Sequence, residues 1–400
     1  MPIGPILRAM KHNRTRFALI ILEIAITLAI VTNCVNMILV ERRNMSRKSG
    51  FDDDNLLTIS FSPFTPEFKE QTYTDAVVQS DMRAIEGMPG VKAAAVTYIL
   101  PWAGGGSSGT MTAEGYGEKF QAQTYPVTPK FIETLGTKLV AGRTFRPEDT
   151  PTDPNTTPSV AIISEALAKK LWGNENPIGK VIMSNERTNP RTVIGVIGDF
   201  YNPYAWNIGE YVRFSPAKWW DGTGAVYLIR TEPGAMKSVV SQLEPRLVKI
   251  NGGRTFRLQT INEVKDQFFL NSRLVITAMT AVIFVLVFVT ALGILGITSL
   301  AVSERTKQIG TRRALGATRG DILTQFLTEN WIVTSIGLFL GIIATYALNF
   351  ALVSNLTEAK MPWYLVGVGM VLLWINGLVA TIPPALRAAK VAPAVATRTV

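Results

Sequence analysis

Leu274-Val-Ile-Thr-Ala-Met-Thr-Ala-Val-Ile-Phe-Val-Leu-Val-Phe-Val-Thr-Ala-Leu-Gly-Ile-Leu-Gly-Ile-Thr-Ser-Leu300 carries no charged residue. A spanning α-helix needs about 20 mostly apolar residues at about 1.5 Å rise each, so this stretch predicts a membrane span over 273–302. Phe17–Val40, Trp331–Val353 and Tyr364–Ile382 meet the same criterion. One span thus lies near the N-terminus and three are bunched in the last third, with a polar segment between them. The layout predicts an α-helical membrane protein with one large extramembrane domain.

Composition agrees: 47% of the residues are hydrophobic and only 18% charged, unusual for a soluble chain. The net charge of +10 could suggest nucleic acid, but the basic residues lie largely beside the spans, where they set topology. Cys34 and His12 are the lone residues of their kinds, which excludes a disulfide framework and a Cys/His zinc site. Cys34 follows Asn33, where an acylation site would need a small residue, so it reads as a packing residue. The first span is longer than a signal-peptide core and lacks a small-x-small site, so it is expected to remain as an anchor.

Orientation follows from the short loops, where positive charge counts most. Arg305, Lys307, Arg312, Arg313 and Arg319 lie between the second and third spans, and Arg387, Lys390 and Arg398 follow the fourth. The loop at 354–363 offers only Lys360, beside Glu358. The tails 1–16 and 383–400 and the loop 303–330 are therefore expected in the cytoplasm. Residues 41–272 then lie outside, in the periplasm of a Gram-negative cell.

The external segment reads as two lobes. A strand at Leu56–Phe61, a helix from Thr72 to Glu86 ending at Gly87, and a strand at Val91–Ile99 form one unit. Val226–Arg230, a helix from Pro233 to about Lys249, and Thr255–Thr260 repeat it. The repeat predicts a split α+β lobe of ferredoxin-like character over 41–125 and 225–260. A second lobe is inserted at 126–224, with strands at Val160–Ile163 and Thr192–Ile197 around a helix at Glu165–Trp172. From Ile261 a helical pattern is expected to run as a stalk (261–272) straight into the second span.

Catalytic spellings fail on their context. Gly104-x-Gly106-x-x-Gly109 lacks the strand–turn–helix that a dinucleotide site requires and reads as a hairpin tip. Gly173 to Gly179-Lys180 has one residue too many for a phosphate loop and Val181 in place of Ser or Thr. His12 lies on the wrong side of the membrane for an external triad. No enzyme, cofactor or metal site is expected, and a membrane-anchored periplasmic enzyme is disfavoured. Within the spans Glu23 is the one acidic residue, about 9 Å from the cytoplasmic end. It reads as a snorkelling group or an interhelical contact, and Asn33, Asn36 and Asn376 read as interhelical contacts.

Ser303-Glu304-Arg305-Thr306-Lys307-Gln308-Ile309-Gly310-Thr311-Arg312-Arg313-Ala314-Leu315-Gly316-Ala317-Thr318-Arg319-Gly320-Asp321-Ile322-Leu323 admits two readings. In one it sets topology and leads into an amphipathic helix, with Ile322/Phe326 and Leu323/Leu327 at i,i+4 spacing. In the other, Gly310, Gly316 and Ala317 thin a helix that presents Ile309 and Leu315 to a groove in another protein.

Arg312-Arg-Ala-Leu-Gly-Ala-Thr318 followed by Asp321-Ile-Leu323, after a span containing Gly293 and Gly296, resembles the coupling loop of the FtsX/MacB-like permeases of ABC transporters. Val127-Thr-Pro-Lys-Phe-Ile-Glu-Thr-Leu-Gly136, Ala141-Gly-Arg-Thr-Phe145, Ile163-Ser-Glu-Ala-Leu167, Asn176-Pro-Ile-Gly-Lys180 and Val193-Ile-Gly-Val-Ile-Gly-Asp199 are similar, in order, to that family's periplasmic core domain. The resemblance implies a four-span half-permease with porter-like and inserted periplasmic lobes in the inner membrane. It also implies a cytoplasmic ABC ATPase partner, a second permease copy or divergent paralogue, and a periplasmic adaptor. Glu304, Arg305, Ile309, Gly310, Arg312, Arg313, Ala314, Leu315, Gly316 and Ala317 would couple to the ATPase. ATP-driven motion would then reach the periplasmic domain for export or extraction of a substrate, or alternatively for regulation of a periplasmic partner. Gln308 stands where Glu is common, Thr311 where an apolar residue is common and Ala392 where Asp is frequent, as paired divergent permeases would explain.

Overall fold

The computed structural model describes residues 14–97, 102, 107–153, 156–184, 188–201, 210–218, 220, 223–355 and 360–391. His12, Ile99, Gly104, Gly106, Glu358, Ala392 and Arg398 lie outside them. The chain forms two compact units, Met1–Met45 with Asn271–Val400 and Ser46–Leu270.

Helix α1 (Arg14–Ser46) leads into the second unit, where β1 (Leu56–Pro63), α2 (Gln71–Glu86) and β2 (Val91–Thr97) follow. The chain then builds β3 (Ser107–Ala113), β4 (Tyr116–Val127), α3 (Phe131–Leu135), β5 (Leu139–Gly142) and β6 (Val160–Ser164). After them come α4 (Glu165–Trp172), β7 (Val181–Ser184), β8 (Arg191–Ile197) and β9 (Val212–Pro216). It returns as β10 (Ala225–Thr231), α5 (Met236–Ile250), β11 (Arg254–Thr260) and α6 (Ile261–Phe268). The first unit is completed by α7 (Leu270–Glu304), α8 (Thr306–Ala314), α9 (Arg319–Asn355) and α10 (Trp363–Ala389).

In the second unit β11, β1, β10 and β2 form an antiparallel sheet in that order. Each strand therefore has a partner from the other strand–helix–strand repeat. Apolar side chains from the sheet, including Leu57, Ile59, Tyr227 and Ile229, pack on Val77, Val78 and Ile85 of α2 and Val239, Leu243 and Leu247 of α5. A buried charge network joins the same elements. Asp81 of α2 is ion-paired with both terminal nitrogens of Arg254 on β11, accepts from the Tyr227 hydroxyl at 2.5 Å, and is fully buried. The guanidinium also lies 4.7 Å over the Phe61 ring and 4.9 Å over Phe256.

The other sheet runs β5-β8-β6-β9-β4-β3-β7, and β7 also pairs with β8. Six strands, β8, β6, β9, β4, β3 and β7, thus close a ring with β5 outside it on β8. This corrects the expected lobe boundary at 125/126. Strands β3 and β4 precede it yet belong to the ring, because β4 pairs in parallel with the distant β9. Conversely α3 lies past the boundary but packs on β2 and β10, with the Thr128 hydroxyl donating to Val96 O at 2.6 Å. Pairings across many residues leave no local signature in a Gly- and Thr-rich stretch.

The expected straight stalk is also interrupted. Thr260 and Glu263 form a reciprocal cap on α6, but this helix ends before Phe269, and α7 starts at Leu270. Phe269 is buried, with its ring 5.4 Å from that of Trp102 and 4.9 Å from that of Phe268. The Phe269 N–H still donates to Lys265 O at 3.0 Å, closing the last turn of α6.

In the first unit α1, α7, α9 and α10 are each long and apolar enough to cross a membrane. Ile20, Ile24 and Leu28 of α1 meet Ile294 of α7, Val333 and Leu338 of α9, and Leu373 and Ala380 of α10. Glycines permit the close approach: a Cβ at Gly341 would stand 3.0 Å from Leu28, and one at Gly369 2.6 Å from Thr32. Polar contacts link helices, with Thr27 and Thr290 hydroxyls 2.9 Å apart, Asn33 donating to Thr345 O at 3.2 Å and Asn376 to Val287 O at 3.2 Å.

Removing one member of a buried ion pair strands the other charge and costs about 3–5 kcal/mol. Asp81→Ala is accordingly predicted to lower the thermal midpoint of the full chain sharply, while Asp81→Leu combined with Arg254→Met recovers much of the loss. Differential scanning fluorimetry of the detergent-solubilised protein checks both; equal loss in single and double variants would refute the pairing.

Candidate functional site

The basic loop folds into a corner between α7 and α9. Arg305 caps α8, and its guanidinium donates to the Glu329 carboxylate of α9 at 2.9 and 3.2 Å. Glu304, at the end of α7, receives two 2.8 Å hydrogen bonds from Arg16 of α1. At the other end α8 stops at Gly316, whose φ of +100° suits glycine. Its N–H donates to Arg313 O at 3.2 Å, and that of Ala317 to Arg312 O at 3.0 Å, which satisfies carbonyls the helix end leaves open. Thr318 then starts α9: Asp321 N donates to its hydroxyl at 3.2 Å, and Thr318 N to the Asp321 carboxylate at 2.9 Å. Gly316, Thr318 and Asp321 are thus the punctuation of a tight helix–helix corner.

The two apolar residues expected on one presented surface are separated. Ile309 is buried, packed with Gly310 also inside, against Ile322 and Phe326 of α9 and Ala385, Ala388 and Ala389 of α10. Presentation of Ile309 is therefore corrected: it packs on the i,i+4 apolar face of α9, Ile322 and Phe326, in the same chain. Leu315, at the end of α8, is 83% exposed, the highest value for a large apolar side chain among the described residues. Ala314 and Gly316 beside it are exposed and Ala317 is half-buried.

The arginines divide likewise. Arg313 donates to Ala389 O at 3.0 Å and to Val391 O at 2.9 Å, where α10 ends and its carbonyls lack helical donors. Arg312 is exposed and donates to Gln325 of α9 at 2.7 Å. Arg16, Glu329 and the end of α10 were not anticipated from the sequence. Glu329, two residues before the expected third span, is the signal that could have flagged an internal partner for the basic loop.

Glu23 lies apart from this corner. It is half-buried on α1 with its carboxylate against Gly293 of α7, where a Cβ would stand 2.6 Å from Oε2 and the carboxylate would have to swing aside. The near-miss phosphate-loop spelling, Gly173 to Lys180, forms the link from α4 to β7, with Lys180 ion-paired to Glu175 and 5.2 Å over the Trp172 ring.

Residues 17–246 match the MacB-like periplasmic core domain, and residues 280–393 match the FtsX-like permease C-terminal region. The chain is 28% identical over 336 residues to the uncharacterized ABC transporter permease YknZ of Bacillus subtilis, covering 82% of this chain and 80% of that one. It is 27% identical over 236 residues to the macrolide export ATP-binding/permease protein MacB of Chromobacterium violaceum, covering 58% of this chain and 36% of that protein. The chain therefore spans about a third of the length of that MacB relative. The crystal structure of the periplasmic region of MacB from Actinobacillus actinomycetemcomitans matches 57% of this chain and 98% of that one, at 19% identity and a TM-score of 0.35. A MacB-like core domain across more than half of the chain, joined to an FtsX-like region that takes in the corner just described, makes this protein a member of the MacB/FtsX family of ABC transporter permeases.

Proposed function

We propose that the chain is the permease subunit through which a separate cytoplasmic ATPase drives the 46–270 domain, placed in the periplasm, to export or extract a substrate. Its membrane is the inner membrane, and it acts with a second copy or a divergent paralogue and a periplasmic adaptor. In this reading the four-stranded lobe is ferredoxin-like and porter-like, and the six-stranded ring is the inserted lobe.

One observation carries the coupling role. Helix α8 is tied to α9 through Ile309 and to the end of α10 through Arg313, yet it leaves Leu315 in the open. An exposed leucine beside exposed Arg312 and Lys307 matches a partner groove with an apolar floor and an acidic rim. Force applied there would reach two membrane helices through buried contacts that cannot slip without opening a packed cluster.

Docking and anchoring should therefore separate by mutation. Leu315→Asp is predicted to weaken binding of the co-expressed ATPase by roughly thirtyfold, the equivalent of about 2 kcal/mol for one apolar anchor, with the thermal midpoint unchanged. Ile309→Asp should lower the midpoint itself. Co-purification and fluorimetry measure the two effects, and normal ATPase binding by a correctly inserted Leu315→Asp protein would sink the docking role.

Topology is tested independently in a Cys34→Ala background. Cysteine at Lys307 should react with an impermeant maleimide only after the cytoplasmic side is opened, and cysteine at Glu118 should react in intact cells. The reverse pattern would overturn the orientation.

A further inference from the structure

Strand β9 alternates side chains between the two faces of the inserted ring. Phe214 joins an aromatic cluster, stacked 5.6 Å from Tyr125 and edge-on at 5.2 Å to Phe200. Arg213 and Ser215 therefore take the opposite face. There Arg213 stands across from Thr124 on β4 and Ile163 on β6, and Ile163 belongs to the ring's apolar core with Val193 of β8. Arg191 opens β8 and is half-buried, whereas Arg213 is only 8% exposed.

The hydrogen bonds of these two arginines stop short of their donors. Arg213 donates to the Thr124 hydroxyl at 3.0 Å and Arg191 to the Ser215 hydroxyl at 2.9 Å. The Nε–H of each is buried with no partner among the described residues. Among the described residues no carboxylate offsets either cation. Burial lowers the pKa of both, and brings Arg213, with added repulsion from Arg191, down to about 9; a guanidinium is charged at neutral pH. Arg254 and Arg305, also shielded, are neutralised by Asp81 and Glu329, whereas Arg313 gives its hydrogen bonds to backbone carbonyls at the end of α10. An uncompensated buried cation is expensive, and two together need an external counter-charge.

We infer that Arg191 and Arg213, with the hydroxyls of Thr124 and Ser215, form an oxyanion-binding site in the inserted ring whose ligand is a phosphate-type dianion. Guanidinium forks complement such oxygens. Each hydroxyl already accepts from an arginine and keeps its own hydrogen to donate. Two ligand charges match two cations, which a single carboxylate would not. A free phosphate and the phosphomonoester head of a lipid share this chemistry.

Isothermal titration of the full chain in non-ionic detergent at constant ionic strength tests the site, with inorganic phosphate and dihexanoyl phosphatidate in separate arms and chloride and acetate as controls. Phosphate should bind more tightly than either control. Phosphatidate tighter than phosphate assigns the lipid head, and the reverse assigns the free anion. Arg213→Met and Arg191→Met should each weaken binding at least tenfold, and Thr124→Val, which keeps both charges, severalfold. Phosphate should raise the thermal midpoint of the wild type and leave that of the double arginine variant unmoved. No binding above the controls in either arm, or equal affinity in wild type and both arginine variants, would overturn the site.

Discussion

The seating of Ile309 among Ile322, Phe326 and the last turn of α10 is the contact on which the corner between α7 and α9 depends. Helix α8 spans only Thr306–Ala314, too short to be stable alone in water. It persists because one apolar residue is buried, one arginine caps α10 and one glycine turns the chain into α9. The helix is held at its middle and at one side, with its end projecting. The burial that holds it is also what removes Ile309 from any partner's reach.

Two buried or half-buried charges are met by a carboxylate. Asp81 with Arg254 satisfies a carboxylate by a guanidinium fork and a tyrosine hydroxyl, tying the two strand–helix–strand repeats together across the sheet. Arg305 with Glu329 does the same between α8 and α9. Arg191 and Arg213, inside the inserted ring, have no such carboxylate among the described residues. Because charge without a counter-ion costs stability, such a departure marks a place where an incoming group supplies what the fold does not.

In the membrane unit, glycines and hydroxyls do the work that hydrophobicity cannot, since lipid tails are as apolar as leucine. Gly337, Gly341 and Gly369 bring α9 and α10 onto α1, and Gly293 leaves room for the Glu23 carboxylate.

What the sequence determined by itself is local or periodic. Each run of apolar residues the length of a bilayer became a helix, and the repeated strand–helix–strand spacing is seen in β1-α2-β2 and β10-α5-β11, because hydrophobic length and alternation are written in neighbouring residues. Family membership was likewise legible from ordered short motifs. Tertiary structure alone decided which lobe owned β3 and β4, since that rests on pairing with β9 far along the chain. It also decided that the stalk breaks where Phe269 is buried, and that Leu315 faces solvent while Ile309 does not. In each case a residue's role was set by what packs against it, and one-dimensional spacing carries no record of contacts made by distant segments.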